Sequence, residues 1–477
     1  MKLPQALTTH EETPPQVLGE FKPVDDWQVH LNAVFYSLRG TRARDYYQTL
    51  AGADYRLAHA LATDFHEAHR KRTDLPANLV VQEWGCGNGT LAACFLSHLR
   101  DLDAEGSLYR KTRYVLVDKH RDMLQAALAH PDLQPHRAQV SSLQADVEDL
   151  AGLQPGTVHW IHGNELWSDL RTKIVLRKEG EVIEERLRPN LSDAKSREFA
   201  DWFAFVKAFE ARDIARLKGQ PSFLDEIIWE KDYGSIDWKR VPYRKLITEC
   251  LKPIDDLVIV PVNLGAFATI KEARRLLAPQ GRVTFLDAGT PDQAVLANQE
   301  KPCYGLHGGQ YSFIVNFALC EDVARHLGFT DITIEPQQEF VSRMLGVNVM
   351  TVVDLLETYP SLEKLQPWEG DRLVLKTLQA LDTVYTSPYR RPLDYPIRAE
   401  TPEPDRTELA AILERRPLTG VPDPIAYLSD AEVLGAMTEL EALGFQRDRI
   451  QDLLRSPAGQ GRPIEYYRFS LGQEKSS

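Results

Sequence analysis

Val80-Val81-Gln82-Glu83-Trp84-Gly85-Cys86-Gly87-Asn88-Gly89-Thr90-Leu91 runs from an apolar stretch into an acid, sets three glycines at alternate positions, and enters the helix-like segment Leu91 to Leu99. That is the pattern of a buried strand, a tight turn and a helix N-terminus. Glycines there let the backbone approach a ligand closely, and the helix start presents free amides to it. A dinucleotide turn needs G-x-G-x-x-G, because the third glycine lets the helix pack on the strand while the amides receive a pyrophosphate. Here the last interval, Gly87 to Gly89, is too short, and Glu83 would set a negative charge beside that pyrophosphate. S-adenosyl-L-methionine has no phosphate but carries an ammonium, a carboxylate, a sulfonium and a ribose diol. An acid at the strand end attracts the ammonium side and a glycine turn wraps the methionine portion. Glu83, Gly85, Cys86, Gly87, Asn88 and Gly89 therefore predict a site for this cofactor. Cys86 sits where only a small side chain fits, and it reads as packing rather than as a reactive thiol.

Outward from the turn, strands and helices alternate. Arg113 to Val117 is rich in β-formers and ends at Asp118, the natural acceptor for the two ribose hydroxyls. Asp122 to Ala129 is helical in period. Gln144-Ala145-Asp146-Val147 follows a third strand-like run and either meets the adenine, through Asp146 and Val147, or is a surface loop. Thr157 to Ile161 is a short strand ending near Asn164 and Glu165. Leu257 to Val260, a helix from Ala266 to Leu277, the turn Ala278-Pro279-Gln280-Gly281 and the strand Arg282 to Leu286, ending at Asp287, resume the alternation. Tyr311 to Phe317 and Asp331 to Glu335 supply further strands. Repeated βα units imply an α/β fold with a doubly wound, mostly parallel sheet covered on both faces.

At 477 residues the chain exceeds a single core, so a main domain with additions is expected. We divide it into an exposed leader (1–25), a helical N-terminal cap (26–75), a cofactor-binding domain (76–350) with an insertion (174–253), a helical extension (351–386), a Pro-rich linker (387–405) and a small, mainly helical C-terminal appendage (406–477). The insertion loses the strand pattern in charged residues and reads as partly helical. Phe199, Trp202, Phe203, Phe205 and Phe209, at helical spacing, are expected to pack inward rather than line a substrate entry.

A net charge of -13 repels phosphate backbones, which disfavours nucleic acid as a partner. The most apolar long run, Leu257 to Ile270, is too short to cross a bilayer, so no membrane span is expected. Met1 to Glu20 has no basic segment leading into an apolar one, which points to a cytoplasmic protein. Five cysteines without Cys-x-x-Cys spacing argue against a disulfide framework or a zinc site and fit a reducing compartment. No metal is expected: His159 and His162 flank Trp160 and Ile161 with no third ligand in view, and read as structural. His307, in a glycine-bearing loop, is either a general base or simply solvated. The sequence leaves open whether the protein forms an oligomer.

Glu83 to Ala92 resembles the first motif of class I SAM-dependent methyltransferases, in the E-x-G-x-G-x-G-T-L-A form of the MidA family, which includes the mitochondrial complex I assembly factor that methylates an arginine. Gly163-Asn164-Glu165-Leu166-Trp167 resembles that family's A-N-E-F-F, Leu286-Asp287-Ala288-Gly289 its I-D-Y-G, and Ser312 to Phe317 its T-A-H-V-N-F. Gln338-Glu339-Phe340 followed by Leu345-Gly346 resembles its Q-x-x-F and L-G ending. The chain departs from the family at Ser168, where an aspartate is usual and Asp169 stands one place on, and at Gln310 and Ile314, where an aspartate and a histidine are usual. It has Asp118 for a glutamate, and only Asp45-Tyr46-Tyr47 remains of a leader motif. The resemblance implies a seven-stranded Rossmann-like methyltransferase sheet, S-adenosyl-L-methionine as cofactor and a divergent member of the family.

Three readings follow. The first is methyl transfer to a protein side chain, arginine foremost, in which carboxylates orient the guanidinium by charged hydrogen bonds. Glu165 is placed for that role with Asp169 or Asp287 as second acid, while Asn164 would orient an amide or hydroxyl acceptor. The second is O- or N-methylation of a small molecule in an apolar pocket formed by the aromatic insertion. The third is a non-catalytic binding or assembly protein that keeps the fold.

Overall fold

The computed structural model describes residues 15–40, 54–385, 387, 395, 397, 398, 400–415, 425–455 and 464–472. Most of the expected leader, the motif Asp45-Tyr46-Tyr47 and much of the expected linker lie outside these residues. The chain divides into two compact units, one of Met1–Tyr47, Trp167–Ala266 and Asp292–Cys320, the other of Gln48–Leu166, Phe267–Pro291 and Glu321–Ser477.

The second unit holds seven of the eight strands, among the described residues, of the sheet foreseen from the βα alternation. They are β1 (Leu79–Trp84), β2 (Thr112–Asp118), β3 (Val140–Gln144), β4 (Val158–Asn164), β5 (Leu277–Thr290), β6 (Asp331–Pro336) and β7 (Glu465–Gly472). Their order is β3-β2-β1-β4-β5-β7-β6. The first five are parallel, and β7 runs antiparallel between β5 and β6. The near-continuous apolar reading of β1 follows from burial on both faces. Helices α1 (Arg56–His69) and α2 (Thr90–Leu102) bury Leu57, Leu61, Phe65, Leu91, Phe95 and Leu99 in one core with Val81 and Tyr114. Two further helices, α3 (Arg121–Leu128) and α4 (Gln337–Leu345), belong to the same unit.

The expected appendage does not stand apart. Its last described segment is β7, inserted between two strands of the sheet, and Leu428, Leu440 and Ile450 of its other elements share a core with Leu355 and Leu378 of the preceding extension. A buried ion cluster joins this region to α1: Arg56 donates through one Nη to both carboxylate oxygens of Glu432 at 2.8 Å, and Asp54 accepts from the Tyr385 hydroxyl at 3.1 Å. Arg468 of β7 bridges Asp64 of α1 and Glu335 of β6, each at 2.7 Å. A strand-like run at the end of a helical segment shows its β-propensity locally, but its partners lie far back in the chain.

The expected insertion is partly helical, with helices at Trp202–Glu210 and Arg244–Leu251, but it also carries a sheet that the sequence reading missed. Lys173–Lys178 and Glu181–Leu191 form an antiparallel hairpin, joined by Ile228–Ser235, Val260–Val262 and the short strands Gln16–Val17 and Lys22–Pro23. The signal was present at Glu179-Gly180, whose φ values of +51° and +82° make the two-residue turn favoured by hairpin twist. Charged residues masked it, because Lys173, Glu184 and Glu185 are buried within these strands and break the apolar pattern. The strand expected at Leu257 to Val260 in the main sheet is instead Val260–Val262, at the edge of this one, where Pro261 loses no ladder bond. Tyr311, expected in a further sheet strand, pairs instead in the hairpin Tyr304–His307 with Gln310–Phe313. The expected N-terminal cap is likewise split: Val24–Arg39 packs Trp27, Leu31 and Phe35 against Phe205 and Phe209 here, whereas α1 belongs to the second unit. Among the described residues, no helix is long and apolar enough to cross a membrane.

Candidate active site

Because β1 to β5 run parallel, their carboxyl ends share one edge of the sheet, where ligands of open α/β folds bind. Glu83, Asp118, Asp146, Asn164 and Asp287 all fall at or just beyond those ends.

The turn after β1 is held in left-handed backbone, with φ of +70° at Gly85, +52° at Gly87 and +81° at Gly89. Gly85 and Cys86 donate their N–H groups to the Val117 carbonyl of β2 at 2.9 and 3.3 Å, and Gly89 donates to Cys86 O at 3.1 Å. The Asn88 side-chain oxygen accepts from the Thr90 N–H at 3.1 Å, satisfying an amide in the first turn of α2. A Cβ at Gly89 would lie 2.9 Å from the Ala127 carbonyl oxygen of α3, and one at Gly85 would lie 3.0 Å from Leu166 Cδ1. A Cβ at Gly87 would meet nothing within 4 Å. Two glycines thus close the turn onto its neighbours while the middle one faces open space, a cradle into which a cofactor fits. Gly89→Ala is expected to cost about 1–2 kcal/mol for its backbone alone, with the Ala127 clash added. Urea denaturation reads the loss, and calorimetry with S-adenosyl-homocysteine reads at least about a tenfold drop in affinity.

Glu83 is 3% exposed. Tyr114 lies with its hydroxyl oxygen 2.7 Å from Glu83 Oε2 and 2.6 Å from His162 Nε2, so these groups form one buried chain across β1, β2 and β4. Burial pushes the Glu83 carboxyl up to about 8, against the lowering effect of the Tyr114 hydroxyl and with a further push from Asp118. The same burial pushes the His162 imidazole down to about 3, so it is neutral at pH 7. Burial also raises the Cys86 thiol well above its usual range, with the carboxylates of Glu83 and Asp118 adding to it. That makes Cys86 a packing residue.

Asp118 ends β2 half-buried, its Oδ1 accepting from the His120 N–H at 2.8 Å. Asp146 is exposed beyond β3 and caps the Glu148 N–H at 3.0 Å, while Val147 beside it is buried. Each is at the strand end foreseen for it, and each also closes its own turn.

At the end of β4, Glu165 adopts φ +47°, unusual for a residue with a Cβ, and is 7% exposed. Its N–H donates to the Leu286 carbonyl of β5 at 2.7 Å. Asn164 Nδ2 donates to Glu165 Oε1 at 3.2 Å, while Asn164 Oδ1 is buried with no hydrogen-bond partner among the described residues. Asp287, buried on β5, accepts from the Ala288 N–H at 2.8 Å. Both carboxylates push the Tyr466 phenol of β7 well above its usual range, Glu165 most, with burial adding to the effect. Asp169, the alternative second acid, belongs to the other unit, where Asn32, Tyr36 and Gln310 donate to it at 2.7, 2.6 and 2.8 Å. Its partner Gln310 stands where the resembled family has an aspartate. His307 lies exposed in a hairpin of that same unit.

Tyr114 and Tyr466 escaped the sequence reading, and His162 was read as structural with no partner. Glu83 pairs with Leu116 of β2 and with His162 of β4. Tyr114 is two residues from Leu116 and so on its face, and strand periodicity would have found it once the register was known. Tyr466 had no local signal.

A parallel sheet with an acid-and-glycine turn after β1, acids at the ends of β2, β4 and β5, and an antiparallel strand inserted beside β5 is the arrangement of a class I methyltransferase. The model of a family described as "Putative S-adenosyl-L-methionine-dependent methyltransferase" matches residues 57–352, more than half of the chain, and the chain belongs to that family. It is an S-adenosyl-L-methionine-dependent methyltransferase, and that molecule is its cofactor. No curated protein matches. Among solved structures, it resembles a Burkholderia thailandensis protein bound to S-adenosyl-homocysteine (14% identity, 95% of this chain and 88% of that one, TM-score 0.47). It also resembles the Haemonchus contortus phosphoethanolamine N-methyltransferase 2 in complex with S-adenosyl-L-methionine (10% identity, 93% and 57%, TM-score 0.32).

Proposed function

We propose that the methyl acceptor is a cationic nitrogen on a protein side chain, the guanidinium of an arginine. The observation that carries this reading is the acceptor character of the site at the end of β4: Asn164 Oδ1 is buried with no hydrogen-bond partner among the described residues, beside the buried carboxylates of Glu165 and Asp287. Such a set suits a donor-rich cation, and a guanidinium offers five N–H donors in a planar fork. When bound, S-adenosyl-L-methionine supplies a methyl group on a positively charged sulfur. Glu83 and the glycine turn hold the cofactor, with Asp118 on its ribose. Glu165 and Asp287 orient the guanidinium, Asn164 Oδ1 accepts one of its N–H groups, and a Glu165 oxygen takes the proton that the reacting nitrogen sheds. Positioning of this kind is the main demand on an enzyme of methyl transfer. The resemblance to the MidA family supports the same acceptor.

The small-molecule reading depended on an aromatic pocket in the insertion. Phe199, Phe205 and Phe209 are instead buried in the core of their own unit, and only Phe203, 80% exposed, points outward. The five cysteines are buried free thiols, which supports action in a reducing cytoplasm. Incubation of the protein with methyl-tritiated S-adenosyl-L-methionine and proteins of a cell extract, followed by acid hydrolysis, tests the acceptor. Label in methylarginine is expected. Label confined to small molecules, or to other amino acids, overturns the reading.

A further inference from the structure

We infer that the C-terminal strand completes the acceptor site, with Tyr466 as a positioning residue that holds the Glu165 carboxylate for the incoming cation. The topology requires β7 to begin where β4 and β5 end, because it runs antiparallel beside β5. Tyr466 stands opposite Ala288, one residue past Asp287, and Leu286 stands opposite Asn164. The Tyr466 hydroxyl donates to Glu165 Oε2 at 3.4 Å, while Asn164 holds Oε1. One donor on each oxygen, together with the Glu165 N–H on Leu286 O, sets the carboxylate in a left-handed backbone conformation that the residue would not hold by itself. Hydrogen bonds in unliganded sites are commonly long and tighten when substrate arrives.

Among the described residues, Asn164 beside it, Tyr466 from β7 and Tyr427 from the strand Tyr427–Ser429 interact with this carboxylate, and Asp287 of β5 acts with it on the Tyr466 phenol. Of these, Asp287 is acidic and opposes ionisation of Glu165, whereas Tyr466 favours it by donating a proton to the charged form. The Glu165 and Asp287 carboxylates keep the phenol protonated across the neutral range, so it acts as a donor there and not as a base. Removing the hydroxyl while keeping the ring therefore leaves a carboxylate beside another carboxylate with one donor fewer.

The inference rests on Glu165 as the acceptor-binding acid, and one experiment separates the two ideas. The Glu165 carboxyl is followed by carbon-13 NMR of the full chain labelled in glutamate, its signal assigned by loss in Glu165→Gln, and titrated in wild type and in Tyr466→Phe. N-acetyl-argininamide is titrated into the S-adenosyl-homocysteine complex of each. The expected result is an upward shift of the Glu165 titration in Tyr466→Phe and about a tenfold loss of affinity for the guanidinium probe. Melting temperature and S-adenosyl-homocysteine affinity stay at wild-type values. An unchanged Glu165 titration overturns the positioning role even if the wild type binds the probe and Glu165→Gln does not. Loss of cofactor affinity or of thermal stability in Tyr466→Phe also overturns it, in favour of a structural role. A shifted titration in a protein that never binds the probe upholds the positioning of Glu165 and removes the arginine reading.

Discussion

Replacing Glu165 by glutamine is expected to lower kcat by about 10²- to 10³-fold, the loss of about 2.7–4 kcal/mol found when one charge-stabilising group is removed from a reacting centre. S-adenosyl-homocysteine affinity should stay within about twofold of wild type, well under the 1.4 kcal/mol of a tenfold change. The physical reason is that glutamine has the shape of Glu165 but one acceptor oxygen in place of two. It can still receive Asn164 Nδ2 or the Tyr466 hydroxyl, but not both at the 3.2 and 3.4 Å contacts of the carboxylate. On the proposed reading a guanidinium would then meet Asp287 as its one carboxylate, beside Asn164 Oδ1, and the proton shed by its nitrogen would have lost its acceptor at Glu165. The backbone at φ +47° costs glutamine no more than glutamate, so folding is not the expected source of the loss. Rates measured with the acceptor identified by labelling decide the matter: transfer at the wild-type rate in Glu165→Gln removes Glu165 from the mechanism.

The second large effect is a pH dependence of stability centred on Glu83. Its carboxyl titrates at an ordinary 4.5 in the unfolded chain and at about 8 when buried under the glycine turn. Between those values the folded state holds a proton that the unfolded state has released, so stability falls as pH rises. The slope is about 1.4 kcal/mol per pH unit, and the whole window amounts to about 5 kcal/mol. His162 acts with the opposite sign. Its imidazole titrates at 6.5 unfolded and at about 3 folded, so between those values the unfolded state holds the extra proton and stability rises with pH. The two contributions cancel between pH 4.5 and 6.5, leaving a net decline from pH 6.5 to 8. Urea denaturation of the cofactor-free protein across pH 5 to 8.5 measures this. The difference in unfolding free energy between wild type and Glu83→Gln should change steadily in the glutamine's favour up to pH 8 and then level off. A pH-independent difference would show that Glu83 ionises normally. In the proposed site ionised Glu83 would receive the cofactor's ammonium, so affinity for S-adenosyl-L-methionine should rise over pH 6.5 to 8 in wild type and stay flat in Glu83→Gln.

The glycine turn and the strand ends beside it were legible because every part of them is local. Glu83 and the glycines occupy consecutive positions, their conformations are dictated by the absence of a Cβ, and Asp118, Asn164 and Asp287 are each the acid or amide that ends a β-rich run. Parallel pairing then carries all of them to one edge without further instruction. What stayed hidden depends on pairing between distant segments. The hairpin at Glu179-Gly180 carried a turn signal, but charged residues interrupt its strands without a regular period, and the reading of a partly helical insertion passed over them. Glu465 to Ser470 was recognisably strand-like, and nothing near it said that its partners are β5 and β6.

The sequence by itself therefore determined the strand, turn and helix around Gly85 to Gly89, the parallel α/β class and the acids that edge the sheet. These follow from backbone freedom and hydrophobic period over a few residues. Only the tertiary structure decided that Tyr114 and His162 buttress Glu83, and that a strand 300 residues further on brings Tyr466 to Glu165. Those contacts are set by sheet register, in which a slip of one residue turns every side chain to the opposite face, and no local pattern encodes which distant strand supplies the partner.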